Sequence, residues 1–254
     1  METGERKRYA EQWAESSVFF YNNKDYAWMC NQIEQYNTVL EIGCGTGHST
    51  LSLVEHGHKV IAIEKNEYCL EKAKALMESN GYICGALIDE INNCKVIFVL
   101  ADVCDADFLK NLYVVSLDVV VCWNIGTYWS KNMIEFYKGK FLRYGLTLEQ
   151  IKENPESSYG EFIQWQSCNI AKKFGVPIHL IDRNQMALSE KNDPYYVSLK
   201  DEFAYLKIEY NYKKTVSKSL GGRPLTDGQQ ICSNKIVELF LISILLTKLR
   251  SLNE

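Results

Sequence analysis

The chain has 254 residues, 46% of them hydrophobic, which suits a single α/β domain with added segments. Its formal net charge of −4 argues against a protein built mainly to neutralise nucleic-acid phosphates. The nine cysteines contain no CxxC pair, and we find neither a secretory leader nor an apolar run of roughly 20 residues. We therefore expect free thiols, no structural zinc, no membrane span and a cytoplasmic location.

Residues 1–36 are predicted to form one or two helices ahead of a sheet, as a segment separate from the domain that follows. The segment is polar at its start and then rich in aromatic residues. We expect a helical lid over a binding site, although packing against a sheet face would explain the aromatic side chains equally well.

Residues 39–66 follow the pattern of a strand, a glycine-rich turn, a helix and a second strand that ends at Glu64. Gly43, Gly45 and Gly47 let the backbone turn tightly against a ligand, because glycine has no Cβ. Glu64 lies where a carboxylate accepts hydrogen bonds from two ribose hydroxyls. The pattern predicts a cofactor that contains adenosine.

Later apolar runs predict further strands. The runs at 96–100, 117–123 and 176–181 are typical of parallel strands buried on both faces, and helical patterns separate them. The alternating segment 203–211 predicts an antiparallel strand, whereas 236–249 fits either a last strand or a buried helix. This order indicates an α/β fold with a doubly wound, mostly parallel sheet and helices on both faces.

The stretch from about residue 124 to 175 is longer than one crossover helix requires. It predicts an inserted helical cap after the fourth strand. We expect this cap to cover the acceptor of a reaction and to leave the cofactor end of the site untouched.

The glycine spacing distinguishes between cofactors. A dinucleotide fingerprint that starts at Gly43 needs glycine at position 48, where the chain has His48. The order Glu41, Gly43, Gly45, Gly47 resembles motif I of the class I, Rossmann-like, S-adenosylmethionine-dependent methyltransferases. The resemblance implies a seven-stranded sheet, S-adenosyl-L-methionine as cofactor, and a methyltransferase domain over 37–254.

The resemblance also assigns roles to residues. It gives Glu64 the ribose hydroxyls and places Glu41 near the methionyl amino end of the cofactor. Asp102 resembles the acid that accepts a hydrogen bond from the adenine amino group, with the Val103 amide near a ring nitrogen; an ordinary helix N-cap is the alternative for Asp102. The remaining predicted cofactor contacts are Gly43, Cys44, Gly45, Gly47, Lys65 and Asn124.

The acceptor is expected beyond the strand that ends at Trp123. The sequence Asn124 to Tyr128, NIGTY, partly resembles the Asn-led motif of adenine amino methyltransferases but lacks its proline. We predict that Asn124 and Tyr128 orient the acceptor, and we assign neither a general base nor a metal ion.

Three functions remain open at this stage. The leading one is a methyltransferase for a small molecule, or for a compact group on a larger one. The second is a nucleic-acid adenine N-methyltransferase, whose phosphate contacts would come from Lys131, Lys138, Lys140 and Arg143. The third is a non-catalytic scaffold or sensor that binds the cofactor. The sequence indicates neither the acceptor atom nor the oligomeric state.

Overall fold

The computed structural model describes residues 2–85, 90, 91, 93–104, 116–126, 131–218, 225–227, 230–232 and 236–249. The helices in these ranges are α1 (Glu2–Asn22), α2 (Asp25–Asn31), α3 (His48–Glu55), α4 (Glu67–Ser79), α5 (Lys131–Tyr144), α6 (Leu148–Glu153), α7 (Pro155–Phe174) and α8 (Pro194–Glu202). The strands are β1 (Thr38–Ile42), β2 (Lys59–Glu64), β3 (Cys84–Gly85), β4 (Val96–Leu100), β5 (Val119–Trp123), β6 (Ile178–Asn184), β7 (Tyr205–Lys218), β8 (Leu225–Asp227), β9 (Gln230–Cys232) and β10 (Ile236–Leu249).

One sheet contains eight strands in the order β3-β4-β2-β1-β5-β6-β10-β7, and β8 pairs with β9 separately. The strands from β3 to β6 in that order pair in parallel, while β10 is antiparallel to both β6 and β7. The predicted doubly wound, mostly parallel sheet is confirmed. The predicted number of seven strands is wrong by one, because β3 has only two residues and is too short to give a periodic signal.

The segment 236–249, which the sequence left open, is the strand β10. It lies between β6 and β7, and residues 241–246 are buried without interruption. A strand with neighbours on both sides and cover on both faces has no solvent-facing side, so its sequence loses the alternation that identifies a strand.

Two layers of helices cover the sheet. Helices α1 to α4 pack on one face against side chains such as Val39 and Val60, whereas α5 to α8 pack on the other against Leu40 and Ile61. Successive side chains along β1 and β2 point to opposite faces of the sheet, so neighbouring residues pack against different layers of helices. Helices on both faces were predicted, and the segment 124–175 supplies α5, α6 and α7.

The end of α1 is attached to the far edge of the sheet. Asp25, at the first turn of α2, is fully buried and accepts hydrogen bonds from Lys213 Nζ at 2.7 Å and from Thr215 Oγ1 at 3.1 Å. Asn23 Nδ2 donates to the same Thr215 hydroxyl at 2.7 Å. A buried carboxylate needs such partners, and here they fix the N-terminal helices to β7.

Polar side chains of β5, β6 and β10 form a hydrogen-bonded chain across the sheet. Trp123 Nε1 donates to His179 Nδ1 at 2.9 Å, and His179 Nε2 lies 2.8 Å from Ser243 Oγ. Because an indole nitrogen is only a donor, the neutral imidazole carries its proton on Nε2 and donates it to the serine. His179 is therefore a buried core histidine that fixes the end of β5.

We predict that replacing Gly47 with alanine destabilises the fold more than the same change at Gly57. Both glycines have positive φ, of 89° and 94°, and alanine costs about 1–2 kcal/mol in that region. A Cβ at Gly47 would also lie 2.8 Å from the Ala73 backbone of α4, whereas Gly57 has no neighbour within 4 Å. Urea unfolding should give Gly47→Ala an additional loss of about 1–3 kcal/mol. Equal losses in both variants would contradict this account of the turn.

We predict that His179 makes stability fall in acid. Burial lowers the pKa of His179 to about 3, while an unfolded histidine binds a proton below about pH 6.5. Its contribution is therefore complete above pH 6.5 and declines as the pH falls toward 3. Gln at this position can still pair with Trp123 and Ser243 but does not titrate.

The measurement is urea unfolding at several pH values between 7.5 and 4.5. The stability deficit of His179→Gln should shrink by up to about 1.4 kcal/mol per pH unit below pH 6.5. The exposed His56 supplies the matched control, His56→Gln. A deficit that is constant over this range would show that His179 does not remain neutral.

Candidate active site

A narrow cleft opens at the carboxyl ends of β1, β2, β4 and β5. Parallel sheets bind ligands at this edge, where the strand order reverses direction. Its floor is formed by the glycine turn after β1 and by the residues that follow the other three strands. Tyr9 and Trp13 of α1 line one side, and Tyr159 and Ile163 of α7 line the other.

The glycine turn is closely packed by two side chains. Gly43 and Gly45 have φ of 75° and 54°, where other residues are strained. A Cβ on Gly43 would lie 2.6 Å from Ile125 Cδ1, and one on Gly45 would overlap the Trp13 indole. The turn therefore requires glycine for conformation and for the close approach of a neighbour.

Glu64 is held at the centre of the cleft by two backbone amides. Gly45 N donates to Glu64 Oε2 at 2.9 Å, and Asn66 N donates to Oε1 at 2.9 Å. Burial raises the pKa of Glu64, and the hydrogen bonds from Asn66 and Gly45 oppose that shift. Each oxygen retains a further lone pair for a ligand hydroxyl.

Glu41 lies beneath the turn and is absent from the residues that line the cleft. Its carboxyl group is buried and accepts hydrogen bonds from the hydroxyls of Ser49 and Thr50 in α3. Burial raises the pKa of Glu41 to about 7. Glu41 thus holds the start of α3 in place, and its role at the methionyl end stays a prediction.

The Asp102 carboxylate accepts hydrogen bonds from two groups. Cys104 N donates to Asp102 Oδ1 at 2.9 Å, which is a bond of the capping type, and Tyr137 Oη donates to Oδ2 at 2.6 Å. Gln166 Nε2 of α7 donates to the Val103 carbonyl at 3.2 Å. Asp102 and Val103 both line the cleft.

The inserted cap reaches the end of the cleft where Lys65 and Asp102 lie. Lys65 Nζ lies 3.8 Å from the Tyr159 ring centroid, and it donates to Tyr137 Oη at 3.3 Å. Burial lowers the pKa of Lys65 to about 8, while the nearby Asp102 and Glu64 oppose the shift. Two tyrosines of the segment 124–175 thus contact residues that the sequence assigns to the cofactor, and the expected division between an acceptor cap and a cofactor end stays a prediction.

Asn124, directly after β5, also lines the cleft. It has a left-handed backbone with φ of 48° and is only 5% exposed. Within the part of the chain that the structure describes, neither Oδ1 nor Nδ2 of Asn124 has a hydrogen-bond partner. An unpaired buried amide costs stability, so such a residue requires an explanation such as a ligand.

The structure brings together most of the residues predicted from the sequence. Those that line the cleft are Gly43, Gly45, Glu64, Lys65, Asp102, Val103 and Asn124. Those that lie behind its surface are Glu41, Cys44 and Gly47. Tyr128, the second predicted acceptor residue, lies outside the described residues.

Sequence reasoning missed Tyr9, Trp13 and Tyr159. Tyr9 and Trp13 are four residues apart, so they lie on one face of α1, and their rings stack at 6.5 Å with an angle of 4° between planes. That spacing was visible in the sequence. Which of the many aromatic residues in 1–36 meets the glycine turn depends on how α1 docks, which no local pattern contains.

Two kinds of feature are absent from the described residues. No helix there has the length and apolar composition needed to cross a membrane. The same residues contain no group of three or more His, Cys, Asp or Glu side chains arranged to hold a metal ion.

Residues 39–139 match a protein family described as a methyltransferase domain. No curated protein sequence matches the chain. The structure resembles that of a putative RNA methyltransferase, PH1948 from Pyrococcus horikoshii, with a TM-score of 0.50 and 10% identity over 89% of this chain and 84% of that one.

Two other solved structures give lower scores. Magnesium protoporphyrin IX methyltransferase from Synechocystis PCC 6803, with bound S-adenosylmethionine, has a TM-score of 0.44 and 12% identity over 93% of this chain and 80% of that one. The N-terminal domain of EvdMO1, with bound S-adenosylhomocysteine, has a TM-score of 0.46 and 16% identity over 88% of this chain and 81% of that one. The chain spans 41% of the length of the longer EvdMO1 chain.

The likeness to PH1948 shows a shared fold. The family match covers the glycine turn, Glu64, Asp102 and Asn124. Together with the sheet order, it identifies residues 39–139 as a methyltransferase domain of the class I, Rossmann-like, S-adenosylmethionine-dependent type.

Proposed function

We propose that this methyltransferase acts on a small molecule, or on a compact group of a larger one, with Glu64 and Asp102 holding the cofactor and Asn124 facing the acceptor. The observation that supports this most directly is the buried, unpartnered amide of Asn124. It lies in the same cleft as a carboxylate that two backbone amides hold in place.

The adenosine end of the proposed site contains the charged groups. Glu64 would accept hydrogen bonds from the ribose hydroxyls, and Asp102 would accept one from the adenine amino group. Lys65 and the Val103 backbone border the same space. These residues fit the cofactor, because a ribose offers hydroxyl donors and adenine offers an amino donor for two fixed carboxylates.

Positioning is the main task that the chain has to perform. Bound S-adenosylmethionine supplies a methyl group on a sulfonium, which is already strongly electrophilic. Reacting atoms held about 3–3.5 Å apart and in line then gain much of the rate from orientation. None of the four histidines lines the cleft, and Asn124 can orient an acceptor but cannot take up its proton at neutral pH.

The basic residues of the cap support a small acceptor over nucleic acid. Lys140 Nζ donates to the Cys104 carbonyl at 3.1 Å, Lys138 lies 3.8 Å from Glu135, and Arg143 Nε donates to Gly139 at 3.1 Å. Lys138, Lys140 and Arg143 are thus each in contact with a protein group, whereas the side chain of Lys131 lies outside the described residues. Phosphate binding usually relies on cations that face outward as a patch.

We predict that Glu64→Ala weakens binding of S-adenosylhomocysteine by roughly 5- to 150-fold. Ribose hydroxyls left without partners in a buried site cost about 1–3 kcal/mol. Calorimetric titration checks this, after circular dichroism has shown that the variant is folded. Glu55→Ala, which removes an exposed carboxylate at the end of α3, is the control and should bind as the natural protein does. Unchanged affinity in folded Glu64→Ala would sink the assignment.

We predict that Asn124→Gly makes the free protein more stable and lowers its methyl transfer. Glycine removes both the unpaired amide and the strain of positive φ, for a net gain of about 1–2 kcal/mol after its own entropic cost. Lys24→Gly is the matched control, because it relieves the strain of a positive φ of 59° without removing a buried unpaired amide, so it should gain less stability than Asn124→Gly.

Thermal and urea unfolding measure the two variants, and Asn124→Ala separates the amide from the backbone strain. If Asn124→Gly is no more stable than the natural protein, the amide is already satisfied without a ligand. If Asn124→Gly is more stable, Asn124 destabilises the free protein, as is expected of a residue that ligand binding requires.

A further inference from the structure

We infer that the inserted cap builds the base-binding end of the cofactor site, with Tyr137 of α5 as the positioning residue that makes this end select a base with an amino group. The inference rests on the proposed function and makes its cofactor site more specific. It gives the segment 124–175 a task at the cofactor in addition to the one predicted at the acceptor.

The loop after β4, residues 102–104, is held by the cap along its whole length. Each of its three residues accepts one hydrogen bond from a side chain of α5 or α7: Asp102 from Tyr137 at 2.6 Å, Val103 from Gln166 at 3.2 Å, and Cys104 from Lys140 at 3.1 Å. A loop that another element binds at every residue takes its conformation from that element. The cap therefore shapes the part of the cleft that Asp102 and Val103 line.

The hydrogen bonds around Asp102 run in one direction. Lys65 Nζ donates to Tyr137 Oη at 3.3 Å, and the tyrosine hydroxyl in turn donates to Asp102 Oδ2 at 2.6 Å. Cys104 N donates to the other oxygen, Oδ1, at 2.9 Å. Both oxygens of the side chain thus face a protein donor, and only a carboxylate can accept at both.

This arrangement determines which base can bind. One lone pair of each Asp102 oxygen is used by the protein, so the lone pairs that remain for a ligand can only accept. The amino group of adenine offers a donor to them. The oxygen that replaces this group in hypoxanthine would bring a second acceptor, and both groups would be left unpaired.

Packing within the cap fixes the Tyr137 ring. The residue is 3% exposed, and its ring centroid lies 4.8 Å from that of Phe136, 5.7 Å from that of Phe141 and 5.3 Å from that of Tyr159. The Lys65 ammonium is held as well, 3.8 Å from the centroid of the Tyr159 ring. The tyrosine hydroxyl is therefore set in place by the cap and does not depend on a ligand.

Two ligands that differ only in the base test the inference: S-adenosylhomocysteine and its deaminated analogue, S-inosylhomocysteine. Calorimetric titration of the whole chain should give S-adenosylhomocysteine a dissociation constant at least about tenfold lower than that of the analogue.

Tyr137→Phe keeps the packed ring and removes only the hydroxyl. It should reduce the ratio of the two dissociation constants at least about threefold, because Asp102 can then turn and the Lys65 ammonium loses an acceptor. A general loss of structure would weaken both ligands alike and leave the ratio unchanged.

Tyr144→Phe is the matched control. Tyr144 lies on the same helix, and its hydroxyl also donates to a carboxylate, that of Glu161, at 2.9 Å. Neither residue lines the cleft, so both dissociation constants should stay as in the natural protein.

Asp102→Asn is a second variant, in case Tyr137→Phe does not fold. Its amide must place an N–H group against the donor of Tyr137 or of Cys104. We expect it to weaken S-adenosylhomocysteine at least about tenfold without making the inosyl analogue the preferred ligand. Preference for the analogue would show that the amide turns freely and that Tyr137 does not set the direction of these bonds.

The outcomes separate this inference from the proposed function. Equal affinity of the natural protein for the two ligands, or an unchanged ratio in Tyr137→Phe, would overturn the inference while S-adenosylhomocysteine still binds. Tighter binding of S-adenosylhomocysteine to Tyr137→Phe would also overturn it, because the hydroxyl would then compete with the base. If S-adenosylhomocysteine fails to bind the natural protein, the proposed cofactor site fails first.

Discussion

The Glu64 carboxylate joins two parts of the chain that must stay together for the site to exist. Its oxygens bind the amides of Gly45, in the turn after β1, and of Asn66, in the turn after β2. The glycine turn therefore depends on a side chain from the neighbouring strand. Asn66 in turn caps α4 and binds the backbone of α1, so α1 is placed by the same junction.

Glu41 is buried and Glu64 is half-buried near the glycine turn, and within the described residues neither carboxyl group accepts a hydrogen bond from a basic side chain. Glu41 has hydroxyl partners and Glu64 has amide partners, and burial raises the pKa of both. Hydroxyls and amides stabilise a carboxylate by hydrogen bonds but do not cancel its charge. A site with this imbalance suits a ligand that brings positive charge of its own, as a sulfonium does.

The sequence was informative where function depends on neighbouring residues in the chain. The glycine turn, Glu64 and Asp102 each follow a strand, and their positions come from local geometry that a single motif records. Asn124 was found in the same way, at a strand end. The acceptor assignments of Asn124 and Tyr128 stay predictions, and Tyr128 lies outside the described residues.

The features that the sequence concealed depend on packing between distant segments. Trp13 on Gly45, Tyr137 on Asp102 and Tyr159 on Lys65 are contacts between a helix and a remote loop. In the sequence, an aromatic residue that fills the core looks the same as one that lines a site. Only the packing of its helix against the rest of the fold separates the two roles. One further consequence follows from the unequal ends of α1. The turn after α1 is held by the fully buried Asp25, whereas Arg6 near the start of α1 is 31% exposed and pairs at the surface with Glu67. Backbone amides should therefore exchange with solvent faster near Arg6 than near the end of α1.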